Sequence, residues 1–355
     1  MIILKDIFVL GFDPIFLDIL VSPLDQNKNK LNNFPEIGEH VPNTIVKLIP
    51  GGNSLNVARM LTKLTSNVFF FGAFNSFFLE LIHSNISNLT CISTTNAEPN
   101  FTIAIQFNSG EIQMNSIKAG FGINDLNLES IFYLIYSRIV PFSNIGLNAK
   151  GPDLFDQIAS LFIELKNQIG DSGEERKNIE QFLVNWLHNS KITEQNSPSI
   201  DKLFQNINSL TSIHISKKIF YFDPSSLKSF THWTWLILFI QEKFTYLPGY
   251  KIISINEYEF SLMIKNKINF NFFLSKNDNY LIVHETNIVT IYTKNLENET
   301  VVSVPKIDPN LIISSVGAGD SFNAGLLYEF SKSLNIYSAV NHGIYIVQQF
   351  LTNTI

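Results

Sequence analysis

Ile313-Ser314-Ser315-Val316-Gly317-Ala318-Gly319-Asp320-Ser321-Phe322-Asn323-Ala324-Gly325, close to the end of the chain, is the stretch on which its interpretation turns. The apolar run Leu311 to Ile313 leads into a turn of small residues, and that turn opens into a helix expected from Asp320 to about Leu334. Two glycines around an alanine let backbone N–H groups crowd together with no side chain between them and a ligand. At a helix N-terminus these donors lack an intrahelical partner and stand at the positive end of the macrodipole. The product is an anion cradle, whose commonest guest is a phosphate. Asp320 is the odd member. A carboxylate there either caps the helix or takes a proton from a group about to meet the anion, and the stretch alone leaves both open.

The chain has 355 residues, enough for one large α/β domain or two smaller ones. A hydrophobic share of 45% supplies a core and excludes global disorder. A net charge of −6, with no dense Lys/Arg tract, argues against a nucleic-acid surface. Cys91 is the only cysteine, so no internal disulfide is expected, and the seven His form no zinc-spaced cluster. A reducing, cytoplasmic setting follows as an expectation. Met1 to Gly11 has acids close by and no small-residue cleavage site, so it reads as a first strand and not a signal peptide. The longest apolar run, Trp233 to Ile240, is far too short to span a membrane.

Working outward, Ile7 to Leu10 has the pattern of a strand buried on both faces and ends at Gly11. Asp13 and Asp18 follow its C-terminal end, where ligands gather in open α/β sheets; each either meets a ligand or closes a turn. Residues 22–48 read as short edge strands and loops. In Pro50-Gly51-Gly52-Asn53-Ser54-Leu55-Asn56-Val57-Ala58-Arg59, a Gly-Gly turn precedes an Asn or Ser cap and a helix. Asn53 and Asn56 both donate and accept, which suits a polyhydroxylated ligand; helix capping is their alternative. Phe101–Phe107 and Glu111–Ile117, around Asn108-Ser109-Gly110, form a hairpin signal that pairs with the 22–48 strands into a small lid sheet. Ile219–Phe222 and Lys251–Ile255 are strands, the second delivering Asn256 and Glu259 to a following helix. These two side chains suit a hydrated Mg2+, or else an Asn cap with an exposed first-turn Glu. Tyr280–Val283 and Val289–Tyr292 are further strands, and His284 between them reads as structural or merely exposed. Repeated strand–helix alternation points to a mostly parallel sheet covered by helices.

The two Gly-rich stretches together resemble the ribokinase-like (phosphofructokinase B) family of sugar and nucleoside kinases. Gly51 to Arg59 is similar to that family's first signature and Val316 to Gly325 to its second, in the right order and about 260 residues apart. The resemblance implies one domain over 1–355: a ribokinase-like three-layer α/β/α sandwich with a mostly parallel central sheet and a small β-sheet lid. Lid strands are expected from about 14–50 and 98–120, with an insertion at about 170–216. It further implies Mg2+-dependent transfer of the γ-phosphoryl group of ATP to a hydroxymethyl group of a sugar or nucleoside. Carried over by position, Asp320 is the general base and Gly317, Ala318 and Gly319 form the anion hole. Asp18, Gly51, Gly52, Asn53 and Asn56 hold the acceptor. Thr286, Val316, Gly317 and Gly319 contact the nucleotide, and Asn256 with Glu259 organise Mg2+ through water.

The chain also departs from the family pattern. Ser314 stands where an Asp usually helps a monovalent-cation site, and His284-Glu285-Thr286 replaces a Thr-x-Gly turn near the nucleotide. Ile344 takes the place of a late Asn near the adenine, and Gly72 to Phe77 lacks two Asp of a related turn. Most departures fall on the donor side, so a catalytically weak relative that binds a sugar or nucleotide as a sensor is the competing expectation. A nicotinamide dehydrogenase is set aside: Phe322 stands where a third fingerprint glycine belongs, and the motif comes too late in the chain. Arg59 reads as an exposed helix residue or a contact to a phosphorylated substrate. Lid strands with open edges suit a homodimer.

Overall fold

The computed structural model describes residues 8–25, 27–33, 41, 43–65, 67–107, 110–116, 122, 125–143, 150–170, 176–190, 202–203, 215–225, 227–308, 311–312 and 317–354. The chain opens with β1 (Phe8–Gly11), β2 (Phe16–Leu24) and β3 (Asn43–Gly51), followed by α1 (Asn53–Leu64), β4 (Val68–Ala73), α2 (Ser76–Asn85) and β5 (Leu89–Thr95). Next come β6 (Asn100–Phe107), β7 (Gly110–Ser116), α3 (Leu128–Tyr136), β8 (Ile139–Ser143), α4 (Gly151–Ile169) and α5 (Arg176–Ser190). Then follow β9 (Ile219–Asp223), α6 (Trp233–Leu238), β10 (Tyr250–Asn256), α7 (Glu257–Lys265), α8 (Phe270–Leu274) and β11 (Asn279–His284). The chain ends with β12 (Ile288–Thr293), β13 (Asn295–Ser303), α9 (Ala318–Ser333) and α10 (Ile336–Leu351).

Nine strands form one sheet in the order β13-β12-β11-β10-β9-β8-β1-β4-β5. From β11 to β5 all neighbours are parallel, and β12 and β13 add an antiparallel edge. The parallel strands are buried on both faces, which explains why Phe8–Gly11, Ile139–Ser143 and Ile219–Asp223 read as unbroken runs rather than alternating ones. One face is covered by α1, α2, α9 and α10, whose Leu55, Phe78, Leu327 and Val340 share a core with Phe70 and Ile252. The other is covered by α3 to α8 and is dominated by rings: Phe142 meets Phe155, Phe239 and Phe244 at 5.3–5.6 Å between centroids. Each fully buried ring contributes about 1.5–3 kcal/mol by leaving water.

A second sheet, ordered β3-β2-β6-β7, stands apart from the first. Its β2–β6 pair is parallel, while β2–β3 and β6–β7 are antiparallel. The three-layer sandwich with a small separate sheet is thus as anticipated. One local expectation differs. Strand β13 was not foreseen, because Asn295 to Thr300 is polar and lies on a solvent-exposed edge where burial leaves no periodic signal. In the segment expected as an insertion, α5 buries Ile179, Phe182, Leu183 and Trp186 in the same core as α4. Asn108, Ser109 and Ile117 of the expected hairpin lie outside the described residues.

Candidate active site

In the main sheet, chain order runs outward from β1 in both directions, through β4 to β5 and through β8 to β11. Such a reversal leaves a crevice beyond the C-terminal strand ends. Asp13, just after β1, is buried there and accepts the backbone N–H of Ser54 at 3.2 Å. Ser54 Oγ in turn lies 2.6 Å from Ser143 Oγ at the end of β8. Helix α1 is therefore capped from outside, by a carboxylate 41 residues earlier. Its N-cap position is Gly52, at φ 112°, a backbone that favours glycine.

External capping frees both asparagines of the first signature. The Asn53 amide donates to Ser225 Oγ, and the Asn56 amide donates to Asp320 Oδ2 at 2.9 Å. Asn56 Oδ1 accepts from Arg59 at 2.9 Å, and the other end of that guanidinium donates to the Pro50 carbonyl. Arg59 is thus no exposed helix residue. It is packed against the site, where burial lowers its pKa and the charges of Asp18 and Asp320 act to raise it. Periodicity could not reveal this, since the groups that meet Arg59, Pro50 and Asp18 of the lid and Asp320 of α9, come from elements other than α1. Asp18 on β2 leans over Gly51: a Cβ on that glycine would lie 2.0 Å from Asp18 Oδ2.

From the other side comes α9. Gly317 is its N-cap, left-handed at φ 88°, and no side chain caps the helix. The first intrahelical backbone bond is Ser321 N–H to Gly317 O at 2.9 Å, so the N–H groups ahead of it have no partner within the helix. Asp320 sits in the first turn, half-buried, with its carboxylate turned toward Asn56 rather than its own backbone. Its pKa is held well above the usual carboxylate range, chiefly by burial and then by the charge of Asp223, with Asp13 adding to the effect. The Asn56 hydrogen bond and Arg59 act in the opposite direction. A carboxylate tuned upward beside helix N–H donors that have no intrahelical partner suits proton abstraction. Ser314, Ser315 and Val316 lie outside the described residues.

Asp223 is a member of the site that sequence reasoning missed. Buried at the end of β9, it accepts from Ser225 Oγ at 2.7 Å, Tyr221 Oη at 3.2 Å and Asn323 Nδ2 at 3.2 Å. Asn323 accepts in turn from Ser254 Oγ at 2.7 Å. The available signal was slight: a polar residue closing the apolar run Ile219–Phe222, and an Asn one turn beyond Asp320. Asn256 and Glu259 form a reciprocal capping box on α7, with Glu259 N–H to Asn256 Oδ1 at 2.8 Å and Asn256 N–H to Glu259 Oε2 at 3.1 Å. Glu259 is only 6% exposed, so the surface Glu of the simpler alternative is not what is found.

Beside the α9 N-terminus, on the side away from Asp320's partners, lies a cavity of about 320 Å³. His284, Thr286, Gly319, Phe322, Ile344 and Val347 are among the residues that line it. His284 is therefore neither core filling nor bare surface: its ring lies 5.5 Å from that of Phe322, and burial pushes its pKa down to about 4. Thr286 and Gly319, both expected at a nucleotide, are on this wall. Among the described residues, no helix is long and apolar enough to cross a membrane.

By sequence, no curated protein matches the chain. A profile of the pfkB family carbohydrate kinases matches residues 175–346, a span that starts within the expected insertion and includes the second signature. Adenosine kinase from Schistosoma mansoni in complex with 2-fluoroadenosine superimposes with a TM-score of 0.61 at 14% identity, covering 99% of this chain and 96% of that one. Fructokinase with bound ATP from Xylella fastidiosa gives 0.60 at 13% identity, covering 98% and 93%. Ribokinase from Thermotoga maritima gives 0.58 at 14% identity, again covering 98% and 93%. At such identities the likeness concerns the fold. The chain has the fold of the ribokinase-family carbohydrate and nucleoside kinases, and from residue 175 to 346 it matches the pfkB family by sequence as well.

Proposed function

We propose that this chain is an ATP- and Mg2+-dependent kinase that phosphorylates a hydroxymethyl group of a sugar, with a nucleoside as the nearest variant. One observation carries the proposal: Asn56 of the first signature and Asp320 of the second, 264 residues apart, meet in a 2.9 Å hydrogen bond. That bond joins the two signatures in front of the α9 N-terminus, which supports reading Asn56 as an acceptor-binding amide and Asp320 as the proton-accepting carboxylate.

In this proposal Asp18, Gly51, Gly52, Asn53 and Asn56 hold the acceptor. Hydrogen bonds from its hydroxyls to ionised Asp18 are each worth about 1.5–3 kcal/mol. Asp320 takes the proton of the attacking hydroxyl as the O–P bond forms and the bond to the leaving nucleoside diphosphate breaks. The N–H groups of Gly317, Ala318 and Gly319 meet charge developing on the transferred phosphoryl, at about 3–4 kcal/mol per donor by analogy with oxyanion holes. The cavity at Thr286 and Gly319 takes the nucleotide, with Gly317 and Val316 as further contacts in this assignment, Val316 lying outside the described residues. For the metal, Asn256 and Glu259 offer the hard oxygen donors that Mg2+ prefers, and their mutual cap fixes both side chains in place. No group of three or more His, Cys, Asp or Glu suited to a metal occurs among the described residues, so these two would hold the ion through its waters. Mg2+ bound there would neutralise charge between the phosphates.

A nucleoside-diphosphate-release assay over sugars and nucleosides, with ATP and other donors, tests the proposal. Turnover is expected with at least one acceptor, and Asp320→Asn should lower it about 10²–10⁴-fold. Undiminished turnover in that variant would remove Asp320 as the base. A sensor that binds without turnover is the second reading, favoured by the apolar Ile344 and the glycine-free His284-Glu285-Thr286 wall of the cavity. Any diphosphate release above background sinks it. A second copy of the chain would dock on β3, whose Ile45, Val46 and Leu48 are exposed, and sedimentation of Val46→Asp against wild type tests that contact.

A further inference from the structure

Asp223 is supported more heavily than a turn residue requires. Three side chains from two elements and one turn donate to it, and two of them, Ser225 and Asn323, have a second task. Ser225 receives the amide of Asn53, and it does so from a left-handed backbone at φ 43°, which is costly for a residue with a side chain. Asn323 lies three residues after Asp320 on α9, hence on the same side of that helix, and is pinned to β10 through Ser254. Burying a carboxylate is expensive even when it is well bonded, and a neutral side chain would tie these elements together at lower cost. A charge at this point therefore calls for a role beyond packing.

We propose that Asp223 is a positioning residue that registers acceptor and base on one carboxylate, holding Asn53 through Ser225 and the Asp320 helix through Asn323. The assignment rests on the kinase reading above. Among the described residues, the charged and titratable groups facing Asp320 include Asp223 and Tyr221 from β9, Asp13 after β1 and Arg59 on α1, together with the Asn56 amide. Asp18 on the lid faces Arg59, and Glu259 on α7 faces Tyr221. Asp223 is the strongest charge acting on Asp320, and its sign favours the protonated form. Burial raises the Asp223 pKa as well, against the hydrogen bonds from Ser225 and Tyr221 that lower it, so the carboxylate aligns the base and, once ionised, holds its proton affinity up.

Three variants separate this from a passive knot. Ser225→Ala cuts the link to Asn53 and should raise the acceptor KM about five- to tenfold, more than it lowers kcat. Asn323→Ala cuts the link to α9 and should lower kcat by a similar factor, more than it raises KM. Asp223→Asn keeps the shape, removes the charge and should move the acid limb of kcat/KM to lower pH, because Asp320 loses a negative neighbour. Equal changes in kcat and KM across the three, or an acid limb that stays in place, would overturn the assignment. A second readout needs no turnover: the Asp320 carboxyl carbon, identified as the signal lost in Asp320→Asn, titrates by 13C NMR on protein labelled at aspartate Cγ. It should titrate at lower pH in Asp223→Asn, and an unmoved titration refutes the coupling. If wild-type protein phosphorylates no acceptor, the kinase reading fails, and this titration decides alone whether Asp223 governs Asp320.

Discussion

Asn56→Ala tests whether the two signatures act as a unit. The wild-type amide donates to Asp320 Oδ2 at 2.9 Å and accepts from Arg59 at 2.9 Å. A hydrogen bond to a charged group contributes about 1.5–3 kcal/mol, and the lower end applies here because Asp320 is only half-buried. At 1.4 kcal/mol per factor of ten, kcat/KM near neutral pH should fall about tenfold, and by up to a hundredfold if the upper end applies. The pH dependence is the sharper readout. The Asn56 bond acts to lower the Asp320 pKa, so losing it raises that pKa further, and the acid limb of the rate profile should move to higher pH. The deficit is then largest on the acid side and shrinks as pH rises and the carboxylate is regained. Steady-state diphosphate release across a pH series measures this, alongside a melting curve to confirm folding. A well-folded variant whose acid limb is unmoved, or moves to lower pH, would show that Asn56 does not tune Asp320.

Three further outcomes follow from particular contacts. Gly51→Ala places a Cβ 2.0 Å from Asp18 Oδ2 and must displace that carboxylate, so the acceptor KM should rise about tenfold or more; an unchanged KM would mean that Asp18 does not bind acceptor. Val347→Trp fills part of the cavity of about 320 Å³, and nucleotide KM should rise more than tenfold while acceptor KM moves less, the reverse order refuting the nucleotide assignment. Lys218, buried between β8 and β9 with its Nζ donating to Ser137 O at 2.5 Å, has its pKa pushed down to about 7 by burial, with Arg138 adding to the effect. Its folded form binds fewer protons than the unfolded chain between pH 7 and about 10.4, so this group makes stability rise with pH across that window, by an amount of order 4 kcal/mol. Lys218→Met should flatten that rise in denaturant titrations, and an unaltered slope would mean that burial does not lower the proton affinity of this amine.

Several site residues were legible because their signals are local. Gly51, Gly52 and the small residues at 317–319 mark turns whatever lies opposite them, and Asp320 gains meaning simply by standing in the first turn after such a cradle. Arg59, Asp223 and His284 were not legible. Arg59 occupies a helix position that is exposed unless a second sheet covers it. Asp223 looks like any polar residue closing a strand until Asn53, Tyr221 and Asn323 are brought to it. His284 acquires a role only when α9 and α10 close a cavity against it. Glu259 shows the opposite limit: its capping box with Asn256 is a local pattern, yet its burial depends on packing elsewhere.

The sequence by itself determined the fold class, the alternation of strands and helices and the two turns that shape the site, since these depend on periodicity and backbone freedom within a few residues. The tertiary structure alone decided how the 313–325 stretch is used. Asp320 is bound not by its own helix but by Asn56, 264 residues away, and the neighbouring charge of Asp223 comes from the end of β9. Proton affinity depends on burial and on neighbouring charges in space, and no local pattern in a chain records which distant carboxylate or amide will stand within a few ångström.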